Sequence, residues 1–262
     1  MRLHERPFLF IGMVHLAALP NGPRPSAGFH TVADAAMRDA MTLMENGADG
    51  VILENFGDAP FTGGPVAPHV LAFVAVLAAK IRDEHPAAMI GINLLRNDAR
   101  GAMGAAAAAN ADFIRVNVHC GAMLTDQGLL TGEAHATLSY RQNLGTPIGI
   151  AADILVKHAV PLAPQPIAEL AADTWRRGGA DVLIVTGSGT GKEADANRVD
   201  AVRDAVPEAR IWVGSGVQPH NAAMWRRKVD GMIVGTSLHQ HGHIHAPIDP
   251  ARVRQLTSAL AG

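Results

Sequence analysis

The sequence predicts an α/β protein, a single (β/α)8 TIM barrel spanning residues 1–262. Three observations predict it. Eight apolar runs of strand length recur along the chain, most without polar alternation, as in strands buried on both faces of a parallel sheet. Helical stretches rich in alanine separate them, so each connection is a right-handed crossover. Polar residues gather just past one end of the runs, while small repetitive turns mark the other. Eight such units in 262 residues favour a closed barrel over an open doubly wound sheet.

The runs are 8–14, 50–53, 89–94, 113–118, 148–152, 182–185, 211–213 and 231–234. Each is bounded by Gly, Asn, Asp or Pro, the residues that end strands. The helical stretches are 31–46, 68–84, 98–110, 133–144, 167–177, 197–205, 219–227 and 249–260. Three of them end in the same punctuation: Asn46-Gly47-Ala48-Asp49, Asn110-Ala111-Asp112 and Gly178-Gly179-Ala180-Asp181. A Gly or Asn in a left-handed conformation stops a helix, and a short Ala-Asp turn then feeds the next strand. No Pro/Ser-rich linker interrupts the series, so one domain is expected.

Composition narrows the function. With 22 Lys+Arg against 24 Asp+Glu and a net charge of -2, no basic face for nucleic acid is expected. A single cysteine, Cys120, excludes an intrachain disulfide and fits a reducing compartment. No run reaches the roughly 18 apolar residues of a membrane helix. Arg2 and Arg6 precede the apolar run 8–14, but that run is short and His15 follows it, so it reads as a first strand and the protein as cytoplasmic. A homo-oligomer is expected from the habits of soluble barrels alone.

In a barrel, residues just past the C-terminal ends of the strands converge on one mouth. Here these are His15, then Glu54 and Asn55, then Asn93 and Arg96, then Asn117 and His119, then Asp153 and Lys157. The sixth strand is followed by Thr186, Gly187, Ser188 and Gly189, the seventh by Gly214-Ser215-Gly216, and the eighth by Gly235-Thr236. Glycines in the last two turns let backbone N–H groups approach an anion, so phosphate is expected there. The loop Thr186-Gly187-Ser188-Gly189-Thr190-Gly191-Lys192 fails the Walker pattern, with Thr186 at the first glycine and Glu193 after the lysine. It reads better as a flexible loop over substrate phosphate, with Gly187, Ser188 and Gly189 in contact and Lys192 as an extra cation.

For acid/base chemistry, Glu54 and Asp153 are expected to face one another across the mouth, with carboxyl pKa values raised by desolvation. Lys157 and His119 complete the candidate catalytic set. His15, Asn55, Asn93, Arg96, Asn117 and Thr186 are the candidate substrate contacts. The metal requirement is left open; a divalent ion such as Mg2+ on Glu54, His119 and Asp153 is one arrangement. The glycine-rich, polar segment 119–132 is expected to act as a lid. The alternating His239, His241, His243 and His245 read as a solvated loop rather than a metal site.

Blocks along most of the chain resemble one known family. They include Ile11-Gly12-Met13-Val14-His15-Leu16, Glu54-Asn55-Phe56-Gly57-Asp58-Ala59-Pro60-Phe61, Asn93-Leu94-Leu95-Arg96-Asn97-Asp98 and Asp153-Ile154-Leu155-Val156-Lys157-His158. The sequence is similar to the BtpA/SgcQ family, which implies a ribulose-phosphate-binding barrel. It also implies two unlike roles, since one cyanobacterial member is associated with photosystem I stability and an enteric member carries a nucleoside triphosphatase label. Cys120 stands where the family usually has threonine. The leading expectation is an enzyme acting on a phosphorylated sugar or nucleotide-related phosphate ester. The alternatives are a non-catalytic assembly factor and a nucleoside triphosphatase.

Overall fold

The computed structural model describes residues 2–187, 189 and 193–261. Its strands are β1 (Leu9–His15), β2 (Gly50–Glu54), β3 (Met89–Asn93), β4 (Phe113–Val116), β5 (Ala122–Thr125) and β6 (Gly128–Thr131). They continue as β7 (Gly149–Asp153), β8 (Ala159–Pro161), β9 (Val182–Val185), β10 (Ile211–Val213) and β11 (Gly231–Val234). Eight of them pair in parallel into a closed barrel in the order β1-β11-β10-β9-β7-β4-β3-β2. The TIM barrel read from the sequence is therefore the observed fold.

The outer layer comprises α1 (Phe29–Glu45), α2 (Pro68–Glu84), α3 (Ala99–Ala108), α4 (Ala134–Leu144), α5 (Ile167–Ala172), α6 (Ala196–Ala205), α7 (Pro219–Lys228) and α8 (Pro250–Ala261). After α5 the chain widens into a π turn at Asp173–Arg177, where a continuous helix is expected from the sequence. Two strand ends also move inward: β4 stops at Val116 and β3 at Asn93.

Strand parity separates two cores. Phe10, Val14, Val51, Leu53, Ile90, Ile92, Ile114 and Val116 point outward into the layer shared with the helices. Their alternates Leu9, Ile11, Met13, Ile52, Met89, Phe113, Ala151, Val182, Ile184, Trp212 and Ile233 fill the lumen. Fully burying each large apolar side chain is worth about 1.5–3 kcal/mol. The lumen is tightly filled: Phe113 and Trp212 meet edge to face at 5.4 Å between ring centroids. A Cβ on Gly91 would lie 2.4 Å from the Phe113 ring, so the strand has no room for a side chain there.

The Ala-Asp turns have a specific job at the N-terminal ends of the strands. The amides of Phe10, Ile90 and Ile150 donate at 2.8 Å to the side chains of Asp49, Asp112 and Asp181. Ile211 does the same to Asp230 at 2.9 Å. Each aspartate returns its own N–H to that residue's carbonyl at 2.8 Å. Arg6, Arg82, Arg141 and Arg203 then pair with the four carboxylates. The staples join β1 to β2, β3 to β4, β7 to β9 and β10 to β11, so they fix the N-terminal end of the barrel.

The segment expected to form a lid is ordered as a hairpin. β5 and β6 pair antiparallel, and β8 adds to β5 to make a three-stranded sheet. Asp126, at the hairpin tip, reaches the mouth of the barrel.

Candidate active site

Continuing each lumen row by two residues turns it polar at the C-terminal end. Met13 leads to His15, Ile52 to Glu54, Gly91 to Asn93, Ala151 to Asp153 and Ile184 to Thr186. Phe113 leads to Arg115 and then Asn117. Trp212 and Ile233 lead to Gly214 and Gly235. The same alternation that fills the lumen with apolar groups thus aims a ring of polar groups at its open end.

Beneath the opening lies a buried hydrogen-bond network. Arg115 Nη2 donates to both carboxylate oxygens of Asp153 at 3.1 Å. Asn117 Nδ2 donates to Asp153 Oδ2 at 2.8 Å. Asn93 Nδ2 donates to Asn117 Oδ1 at 3.2 Å and to the Arg115 carbonyl at 3.1 Å. The Asp153 side chain is 0% exposed. It does not reach the cavity, which corrects the expectation that it faces Glu54 as a second acid/base group.

Above this network opens a cavity of about 1020 Å³. Of the expected residues, Glu54, Lys157, His15, Arg96 and Asn117 line it, as do Gly214, Ser215, Gly216, Gly235 and Thr236. Glu54 is buried, yet among the described residues no hydrogen bond holds its carboxyl group. Burial raises its pKa; Arg115 and Lys157 oppose that rise and Asp153 adds to it. Lys157 Nζ donates to the Gly214 carbonyl at 3.2 Å. Burial, and then the adjacent Arg115, lower the Lys157 pKa to about 8. Arg96 donates to the Lys157 carbonyl and so fixes the loop that carries the lysine.

In the glycine turns one backbone amide is engaged and three are open. The Gly214 amide bonds the Val185 carbonyl at 2.9 Å. The Ser215, Gly216 and Thr236 amides have no hydrogen-bond partner among the described residues. A Cβ on Gly235 would lie 2.6 Å from His15 Cε1, so glycine is needed for the turn to pass the imidazole.

Other expected residues support the site from behind. Asn55 Oδ1 accepts from the Leu95 amide at 2.7 Å and its Nδ2 donates to Asp58, tying the loops after β2 and β3. Thr186 Oγ1 donates to the Leu155 carbonyl, and the Gly187 amide donates to Ser215 Oγ at 2.6 Å. Asn93 lies under Asn117, and Gly189 is buried away from the cavity lining. Ser188 and Lys192 lie outside the described residues.

His119 is not at the mouth. The chain leaves β4 after Val116, and His119 Nε2 turns to the Gly178 carbonyl at 2.8 Å, with a ring 1% exposed. The trio Glu54, His119 and Asp153 therefore does not converge, and among the described residues no three His, Cys, Asp or Glu side chains gather as metal ligands do. The expectation of a solvated histidine loop is also overturned in part. His239 is 1% exposed, with its Nε2 at 3.3 Å from His15 Nδ1, and His243 and His245 line the cavity. Reading the sequence also missed Arg115 as a site residue. A lone charge inside an apolar strand, in step with Phe113 and Asn117, was the available signal.

Residues 6–262 match the model of the BtpA family. The chain belongs to the BtpA family. A BtpA relative in Synechocystis, named photosystem I biogenesis protein BtpA, is 39% identical over 251 residues, covering 96% of this chain and 87% of that protein. An uncharacterised protein of Thermococcus kodakarensis is 42% identical over 246 residues, 94% of this chain and 92% of its own. Among solved structures, KGPDC from Streptococcus mutans superposes with a TM-score of 0.61 at 12% identity, over 98% of both chains. Phosphoribosyl anthranilate isomerase from Thermus thermophilus gives 0.56 at 12% identity, over 97% of this chain and 98% of that one. At such identity they show the shared (β/α)8 barrel alone. No helix among the described residues is long and apolar enough to cross a membrane.

Proposed function

We propose that this BtpA-family protein is an enzyme acting on a phosphorylated sugar or a nucleotide-related phosphate ester. One observation carries the reading. A chain of net charge -2 places Arg24, Arg96, Arg115, Lys157 and Arg252 around its cavity against Glu54 and Asp126. Low-dielectric walls lined by one sign of charge concentrate ligands of the other. The phosphate is assigned to the turns at 214–216 and 235–236, where open amides and Lys157 supply donors. Solved structures that share the barrel carry names of sugar-phosphate enzymes, such as 3-keto-L-gulonate-6-phosphate decarboxylase from Vibrio cholerae, and this supports the reading by analogy of fold.

Glu54 is the acid/base group. Burial raises its pKa and strengthens it as a base, so it takes a proton from a sugar carbon or hydroxyl and returns it at another atom. Arg115, locked in place by Asp153, and Lys157 face the oxygen on which negative charge grows. Asp153 is a positioning residue in this account. Asn117 and Arg96 hold sugar hydroxyls, and the hairpin of β5 and β6 shields the mouth from water. The reaction class is isomerisation, epimerisation or cleavage at the anomeric centre.

A thermal-shift screen of phosphorylated sugars and nucleotides, with and without Mg2+, tests the reading. A stabilising phosphate ester is expected, and its effect should exceed that of the same sugar without phosphate. A set in which no phosphate ester raises Tm would overturn it. The assembly-factor reading has its own support: Leu124, Leu129 and Val160 form an exposed apolar row across the outer face of the three-stranded sheet. It predicts capture of a protein partner that is lost in Leu124→Lys.

A further inference from the structure

Two histidines that the proposed proton transfers do not use form a directional chain at the cavity wall. His239 Nδ1 lies 2.5 Å from the Ala246 carbonyl. A carbonyl only accepts, so Nδ1 of His239 carries hydrogen. His239 is 1% exposed, and burial first lowers its pKa, so the ring is neutral and its Nε2 is left as a lone pair. That lone pair faces His15 Nδ1 at 3.3 Å. His15 Nδ1 must therefore carry hydrogen too, which leaves its Nε2 bare.

The surroundings keep His15 uncharged. It stands beside Glu54 across the β1–β2 pairing, but Lys157, Arg115, His239 and His245 all face it and oppose a positive charge. Burial and these neighbours lower its pKa to about 3. Asp39, on α1, faces His239 rather than His15 and favours the charged form of that ring, yet its carboxylate is engaged by the Ile248 amide at 3.0 Å. His15 Nε2 has no hydrogen-bond partner among the described residues, and it is not among the buried unpaired atoms. Gly235 passes this edge of the ring without a side chain that would cover it, Nε2 being 3.3 Å from the position of a Cβ. Phe56 packs edge-on against the His15 ring at 5.1 Å between ring centroids and restricts its plane.

We infer that His239 is a positioning residue that locks His15 as a neutral acceptor, with Nε2 offered to a hydroxyl group of the ligand. A neutral acceptor takes an O–H donor and repels phosphate or carbonyl oxygens. The anion and the polyol parts of a sugar phosphate are thereby read at different places in the cavity. The assignment of the hydroxyl to a sugar phosphate rests on the function proposed above. The ring states do not, because they are measured without ligand. A site built around a hydrogen-bonding group discriminates strongly against analogues that lack the partner.

Nitrogen NMR of histidine side chains in the full chain tests this, with His15→Phe and His239→Leu used for assignment. The expected result is that both rings are Nδ1–H tautomers, and that His15 stays neutral across the range in which an ordinary histidine titrates. In His239→Leu, the His15 ring should redistribute toward the Nε2–H tautomer, and His239→Gln, whose amide oxygen can accept, should restore Nδ1–H. A wild-type His15 that is Nε2–H, or that titrates near the ordinary histidine value, would overturn the inference. So would an unchanged His15 tautomer in a folded His239→Leu. If the leucine variant does not fold, the wild-type tautomer decides alone. Failure of the phosphate reading would leave these ring states as they are, so the two are separable.

Discussion

Arg115 and Asp153 form a buried bidentate pair under the cavity floor, with one guanidinium nitrogen 3.1 Å from each carboxylate oxygen. The pair links β4 to β7, and Arg115 also lines the cavity. Removing one partner strands the other charge in a low dielectric, which costs about 3–5 kcal/mol. Asp153→Ala and Arg115→Met should each destabilise by that amount in chemical denaturation. The double variant should lose less than the sum of the two, and full additivity would show that the charges are not coupled.

Glu54→Gln keeps the size of the side chain and removes its proton exchange. Turnover of any substrate found by the screen should fall by roughly 100-fold or more, with Tm held or raised, because a buried carboxylate becomes a neutral amide. In the wild type, the acid limb of the rate profile should sit above the ordinary carboxylate range, since burial raises the Glu54 pKa. Rates measured across pH would check both.

Lys157 loses its charge as pH rises through about 8. The cation is present below that value and absent above it, so phosphate affinity should fall on the alkaline side. The expected loss is roughly tenfold, about 1.5 kcal/mol for one charge-assisted hydrogen bond. Calorimetric titration with inorganic phosphate on either side of that pH would show it. Lys157→Met should bind weakly at both pH values, without the dependence.

The staples at the closed end should not be equal. Arg82 is 10% exposed in its pair with Asp112 and also donates to the carbonyls of Asn110, Pro86 and Ala88. Arg6 is 52% exposed in its pair with Asp49. Arg82→Ala should cost about 3–5 kcal/mol, and Arg6→Ala less than about 1 kcal/mol, by urea denaturation. Neither should change ligand affinity, since both lie at the far end from the cavity.

The barrel was legible because its strands are continuous apolar runs, and the punctuation around Asp49, Asp112 and Asp181 marked the closed end. Asp230 makes the same staple from a turn without the alanine, so the repeat was only partly visible. The polar ring was legible as well, because His15, Glu54 and Asn93 stand at strand ends. Which of its members reach the cavity was not, since that depends on stacking between strands. Arg115 covers Asp153, and Asn117 covers Asn93. His119 shares its strand's inward parity by count, yet the chain has already left β4, and parity no longer applies. β8 pairs with β5 across more than one intervening element, and a three-residue strand carries too little alternation to announce that. His239 is buried through its contact with His15, a residue at the other end of the chain, and no local pattern encodes that.

We place the phosphate of the ligand at the two late glycine turns of the cavity. A crystal structure determined with inorganic phosphate would decide this placement. Phosphate is expected against the amides of Ser215, Gly216 and Thr236, within reach of Lys157. Phosphate bound elsewhere, with these turns left to solvent, would contradict it.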